Sequence, residues 1–228
     1  AGAEALVRLR REDGTLVSPV EFIPVAENTG LIMPISELVL RQACRQLVLW
    51  RAGGHPAFRM AVNLSPRQFQ HSGLERRILA ILEETGAPPQ ALEFEITEHL
   101  LLDNRPETLA TLAALRDMGA SVVLDDFGKE YSSLGYIKKL PIQAIKIDRS
   151  FIDGLPGDED NASIVRSVLS LAQSLDLHVV AEGVETRAQL NFLVAQGCRE
   201  FQGYLFSRPL NALDMTALLA QGSPFEAL

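Results

Sequence analysis

Ser121-Val122-Val123-Leu124-Asp125-Asp126-Phe127-Gly128 carries a run of β-branched and apolar residues into two adjacent carboxylates. The run up to Leu124 predicts a short buried strand. Neighbouring side chains on a strand point to opposite faces, so both aspartates reach one polar site only where the strand ends and the backbone turns. Gly128 predicts such a turn. Two readings stand for the pair. Either the carboxylates hold divalent cations, or one aspartate caps the following helix while the other is solvated.

Downstream, a helical stretch around Leu134 to Leu140 closes at Pro141. Gln143 to Asp148 reads as the next strand, with Lys146 and Asp148 on one face. An amphipathic helix from Ile164 to Leu175 leads to the buried strand Leu177 to Gly183, which ends in the Glu182 carboxylate. Helix Arg187 to Gln196, strand Glu200 to Gly203 and helix Leu213 to Ala220 follow.

Upstream, Gly119 stops a helix from Thr108 to Met118. Leu92 to Glu98 alternates, placing Glu93, Glu95 and Thr97 on one face and Phe94, Ile96 and Glu98 on the other. Phe58 to Asn63 reads as a strand ending in an amide, Pro66 to Gly86 as helical, and Ile35 to Trp50 as a helix stopped by Gly53-Gly54. Pro19 to Gly30 is a turn-rich segment. The opening Ala3 to Leu9 alternates and puts Glu4, Leu6 and Arg8 on one face. That pair of charges reads either as a metal ligand with a phosphate contact or as an exposed ion pair on an edge strand.

Strand and helix thus alternate about seven times, over loops too short for a separate domain. This is the pattern of a parallel sheet, and a TIM-type β/α barrel, spanning residues 1–228 as one α/β domain, is the expected fold. The 228 residues, 47% of them hydrophobic, suffice for one sizeable core. No Gly-rich dinucleotide fingerprint or P-loop is present. The net charge of -8 argues against partnership with long nucleic acids. No apolar run approaches a bilayer span and no secretory leader opens the chain, so a soluble, cytoplasmic domain without membrane contact is expected, any anchor lying outside it. Cys44 and Cys198 lack metal-ligand spacing and read as reduced, buried thiols. His55, His71, His99 and His178 read as structural or solvated.

Polar residues recur near the C-terminal ends of the strands: Asn63, Glu95, Asp125 with Asp126, Lys146, Glu182 and Gln202. In a β/α barrel those ends share one mouth, where active sites are built. Burying so many polar groups there without a role would be costly. Glu, Asn and Asp ligands suit Mg²⁺ or Mn²⁺ rather than Zn²⁺. Four carboxylates and an amide exceed what one Mg²⁺ takes from protein, so two ions sharing Asp125 are expected. Two-metal sites, with ions about 3.5–4 Å apart, clamp the attacking and leaving oxygens of a phosphoryl displacement. Lys146 then orients the attacking water, stabilises the developing charge, or serves as internal counter-ion.

The ordered series Glu4-Ala5-Leu6-Val7-Arg8, Asn63-Leu64-Ser65, Glu95-Ile96-Thr97-Glu98, Asp125-Asp126-Phe127-Gly128, Lys146-Ile147-Asp148-Arg149-Ser150-Phe151, Ala181-Glu182-Gly183-Val184-Glu185 and Gln202-Gly203-Tyr204 resembles the EAL-domain family of cyclic-di-GMP phosphodiesterases. The resemblance implies a modified β/α barrel with one antiparallel strand that hydrolyses cyclic-di-GMP to linear pGpG. It implies that Glu4, Asn63, Glu95 and Asp125 hold one metal ion and that Asp125, Asp126 and Glu182 surround a second. Lys146, Glu182 and Asp125 are the implied catalytic residues, and Leu6, Arg8, Asp148, Glu185 and Gln202 the implied substrate contacts. Glu98 matches the glutamate that steadies the loop after Asp125-Asp126. Mg²⁺ or Mn²⁺ would support turnover and Ca²⁺ inhibit it. A homodimer, and sensory or cyclase domains in a longer protein, are further implications.

Two departures stand out. Lys129-Glu130 replaces the family's Thr-Gly before Tyr131-Ser132-Ser133-Leu134, and the family's lead-in strand before Glu4 is not in this sequence. A receptor that binds cyclic-di-GMP without cleaving it is the alternative function, and a barrel metalloenzyme acting on another phosphodiester a third.

Overall fold

The computed structural model describes residues 1–102, 105–129 and 137–221. In chain order the elements are β1 (Gly2–Ala5), β2 (Leu9–Arg10), β3 (Leu16–Val17), α1 (Pro19–Thr29), α2 (Ile32–Ala52), β4 (Arg59–Asn63), α3 (Pro66–Phe69), α4 (Leu74–Thr85), β5 (Leu92–Thr97), α5 (Glu98–Leu102), α6 (Pro106–Asp117), β6 (Ser121–Phe127), β7 (Ala144–Ile147), α7 (Arg149–Ile152), α8 (Glu159–Ser174), β8 (His178–Ala181), α9 (Arg187–Ala195), β9 (Glu200–Phe201) and α10 (Ala212–Ala220). Seven strands form one sheet in the order β1-β4-β5-β6-β7-β8-β9, while β2 and β3 make a separate antiparallel pair. Every pairing in the large sheet is parallel, so no antiparallel strand joins it among the described residues.

The alternation in β5 shows how the sheet divides the molecule. Leu92, Phe94 and Ile96 are fully buried on the face covered by helices, whereas Glu93, Glu95 and Thr97 face the other way. The main core therefore lies between sheet and helices, joining Phe94, Val122, Leu124, Ile145 and Ile147 to Leu47, Ile78, Leu112, Val165 and Leu190. Each such aliphatic or aromatic side chain contributes about 1.5–3 kcal/mol when fully buried. The inner face of the sheet is left free to be polar.

The sheet curls into a partial barrel, and polar side chains bridge its seam. At the mouth, Gln202 beyond β9 donates to Glu4 on β1 across 2.7 Å. At the opposite end, Arg59 on β4 meets Glu93 on β5 at 2.8 Å and Glu200 on β9 at 3.2 Å. First and last strands thus come together although no backbone pairing joins them among the described residues.

Several sequence expectations are corrected. Pro19 to Gly30 is a helix, not a turn-rich segment: Pro19 fills the first helical position, where its missing N–H is harmless, and Phe22 and Ala26, one turn apart, are buried. Pro24 is carried inside the helix, which ends at Gly30 with φ 78°. The stretch from Pro66 to Gly86 is two helices, broken ahead of Gly73, whose φ of 81° no ordinary residue adopts cheaply. The opening strand stops at Ala5 instead of running to Leu9, so Leu6 and Arg8 lie outside it. Glu98 leaves the β5 alternation and opens α5. Of the helix expected over Leu134 to Leu140, residues 134–136 lie outside the described residues, as do Glu130 and Tyr131 to Ser133.

Candidate active site

Register brings the strand ends to one level. Asn63 stands opposite Glu95 in the β4–β5 pair, and Thr97 opposite Asp125 in the β5–β6 pair. Glu4, Glu95, Asp125 and Glu182 all turn towards Lys146, whose Nζ lies 2.7 Å from Glu95 Oε1, 2.6 Å from Glu182 Oε1, 3.6 Å from Glu4 Oε2 and 3.8 Å from Asp125 Oδ1. The Lys146 side chain is only 3% exposed and that of Glu95 2%, so the cluster is sealed at its base. Amides orient its outer edge: Asn63 Nδ2 donates to Glu4 Oε1 and Gln202 Nε2 to Glu4 Oε2, each at 2.7 Å.

Four carboxylates around one ammonium leave three uncompensated negative charges when all are ionised. Burial pushes the Glu95 carboxyl up to about 8 and the Glu182 carboxyl up to about 7, against the pull of Lys146. Asp125 is raised by the same cause. Glu4 moves the other way: burial opposes its ionisation, but Lys146, Gln202 and Asn63 outweigh it. Lys146 stays charged because the surrounding carboxylates overcome the penalty of burial.

Asp125 and Asp126 part company at the end of β6. The pairing with β7 slips between Leu124 and Phe127, and Asp126 takes a left-handed φ of 57°. Asp125 joins the inner cluster and accepts from the Asp126 N–H at 2.9 Å. Asp126 stands at the rim, where Lys129 Nζ lies 2.7 Å from its Oδ1 and 2.8 Å from Asp148 Oδ2. Asp148, placed at the mouth by β7, also caps α7, accepting from Ser150 N at 2.9 Å and Ser150 Oγ at 2.6 Å. Burial disfavours its charge, but Lys129 and Ser150 hold Asp148 down at about 2.

The remaining predicted residues are placed as follows. Glu98 is buried and accepts from the Gly128 N–H at 3.3 Å, tying α5 to the turn after β6. Gly128 itself is at φ 99°, and an added Cβ would come within 2.9 Å of the Phe151 ring. Glu185 pairs with Arg149 at 3.1 Å and its N–H donates to Gln189 Oε1. Leu6 is 43% exposed, and the exposed Arg8 donates to the Val7 carbonyl at 2.9 Å. Arg8 therefore does not share the inner face with Glu4. Arg149 and the Lys129 clasp were not picked out from the sequence. The spacing of Asp126 and Lys129 hints at their pairing, but the Asp148 partner depends on how β6 and β7 end. Cys44 and Cys198 are free and buried as expected, and burial pushes the Cys44 thiol up to about 11. His99 lies in α5, and His178 opens β8 exposed.

The donor set fits hard divalent cations. It is made of carboxylates and amides, it carries excess negative charge, and Glu95 Oε2 is buried without accepting a hydrogen bond from any described residue. Among the described residues no three His, Cys, Asp or Glu side chains form a ready-made ion cage; the carboxylates close on the Lys146 ammonium.

The EAL domain model matches residues 1–209, and the chain belongs to the EAL-domain family. MucR of Pseudomonas aeruginosa, a bifunctional diguanylate cyclase/cyclic di-GMP phosphodiesterase, is 44% identical over 219 residues, which cover 96% of this chain and 32% of MucR. NbdA, a cyclic di-GMP phosphodiesterase of the same organism, is 44% identical over 91% of this chain and 26% of its own length. The chain thus spans less than a third of either relative. The structure of the MucR phosphodiesterase in complex with cyclic-di-GMP superposes with a TM-score of 0.89 at 44% identity, covering 94% of this chain and 87% of that one. The TIM-like barrel of EAL domains is therefore the fold of this chain. No helix among the described residues is long and apolar enough to cross a membrane.

Proposed function

We propose that this domain is a divalent-metal-dependent phosphodiesterase that opens one phosphodiester of cyclic-di-GMP to linear pGpG. The observation that carries the reading is the partly buried excess of carboxylates around the buried Lys146 at the mouth of the sheet. Such a cluster is costly without additional positive charge, and ions there would lie beside the phosphodiester of a bound substrate. Glu4, Asn63, Glu95 and Asp125 would hold one Mg²⁺ or Mn²⁺, and Asp125, Asp126 and Glu182 a second. Bound there, the two ions would acidify the attacking water and neutralise charge on the phosphoryl oxygens.

The protein's own groups supply orientation. Asn63 and Gln202 fix Glu4 through its two oxygens, and Glu98 fixes the turn after β6. Lys146 reaches the reacting water and the charge that develops on the phosphorus oxygens. Leu6 and Arg8, exposed beyond β1, are available to the nucleotide, while Asp148, Glu185 and Gln202 shape the rim of its site. The relatives' greater length supports a longer signalling protein in which sensory or cyclase domains govern this one. Homodimerisation, a cytoplasmic setting and inhibition by Ca²⁺ belong to the same proposal.

A second reading, a domain that binds cyclic-di-GMP without cleaving it, is favoured by one observation: Lys129 already engages Asp126 and Asp148. The complete inner cluster favours the enzyme. The readings separate in Lys146→Ala and Glu4→Ala variants assayed for hydrolysis and nucleotide binding. Both are expected to lose hydrolysis by at least about a hundredfold, with binding kept in Lys146→Ala. Hydrolysis retained in Glu4→Ala would remove the metal assignment.

A further inference from the structure

Lys129 adds a cation to the mouth besides Lys146. Its ammonium contacts Asp126 Oδ1 at 2.7 Å and Asp148 Oδ2 at 2.8 Å, and so ties the end of β6 to the end of β7. Asp148 is a fixed anchor: Ser150 engages its Oδ1 through both backbone and hydroxyl, and its side chain is 10% exposed. Asp126 is the looser partner, 40% exposed and left-handed, one residue before the end of β6. Its neighbour Asp125 faces Lys146 in the inner cluster. A lysine ammonium brings charge and three donors but no acceptor, so it neutralises carboxylates while offering no ligand to an ion.

We propose that Lys129 is a positioning residue that acts as an internal cation, weakening divalent-ion binding on the Asp126 side of the mouth and thereby setting the ion concentration that the domain requires. This rests on the reading that ions bind at these carboxylates. An incoming ion must displace the ammonium from Asp126 or accept its repulsion at close range. Lys146 faces carboxylates of both proposed ion positions, Glu95 at 2.7 Å and Glu182 at 2.6 Å, whereas Lys129 pairs with Asp126 and Asp148 and so bears on the Asp126 side.

The test is calorimetric titration of the purified chain with Mn²⁺ alone, comparing the native sequence with Lys129→Thr and Lys129→Arg. Two classes of site are expected in the native chain. In Lys129→Thr the weaker class should tighten by at least about fivefold and the tighter class should stay within about twofold, while Lys129→Arg retains the weak class. If Lys129→Thr does not fold, Lys129→Gln, which keeps length without charge, takes its place. Identical titrations of the native chain and the neutral variant would overturn the proposal and leave the ion site standing. Failure of every protein to take up Mn²⁺ would overturn the ion site and this proposal with it.

Discussion

Glu95 and Glu182 show at the level of single residues what the site lacks in protein charge. Burial raises them to about 8 and about 7, above the ordinary carboxylate range of about 4. The folded chain without ions therefore keeps protons that the unfolded chain has released. Wherever the native state binds more protons, stability falls as pH rises. The ion-free domain is expected to lose melting temperature steadily from about pH 5 to about pH 8. Added Mn²⁺ should recover more at pH 8, where the carboxylates are ionised, than at pH 5.5. A flat profile in differential scanning fluorimetry would show that the cluster is not under this strain. Lys146, Glu95 and Asp125 were legible in the sequence because each puts a polar group near the C-terminal end of an otherwise apolar or alternating strand. Lys129 was legible only as a departure, since its Asp148 partner lies just beyond another strand, at the cap of α7.

At the scale of elements, alternation was the reliable guide. Leu92 to Thr97 formed as read, with its carboxylates on the inner face, because period two leaves no other way to bury Phe94 and Ile96 together. Proline and glycine were less reliable. Pro19, Pro24 and Gly30 read as turns, yet burial of Phe22 and Ala26 holds that segment helical. Backbone approach between elements was also invisible in the sequence. An added Cβ on Gly203 would stand 2.2 Å from Val184 O and 2.3 Å from Val184 N, at the junction where Val184 N–H donates to Gln202 O. Gly203→Ala is therefore expected to destabilise the fold by about 3 kcal/mol, the upper end for overpacking. It should also shift Gln202 away from Glu4. Urea unfolding measures the loss; a change under about 1 kcal/mol would mean that the β8–β9 junction yields easily.

For the whole molecule, the parallel sheet gathers residues as far apart in sequence as Glu4 and Gln202 into one mouth, with side-chain contact across the seam at both ends of the curl. The alternating pattern made the sheet legible, but not the curl, since seam contacts such as Arg59 to Glu200 join residues with no local relation. Incubation of the purified chain with cyclic-di-GMP and Mn²⁺ or Mg²⁺, with products resolved by chromatography, tests the central claim most directly. Linear pGpG that forms with the ion and disappears on chelation is the predicted result. Nucleotide that binds and is recovered intact at every ion concentration would contradict the account and identify a receptor.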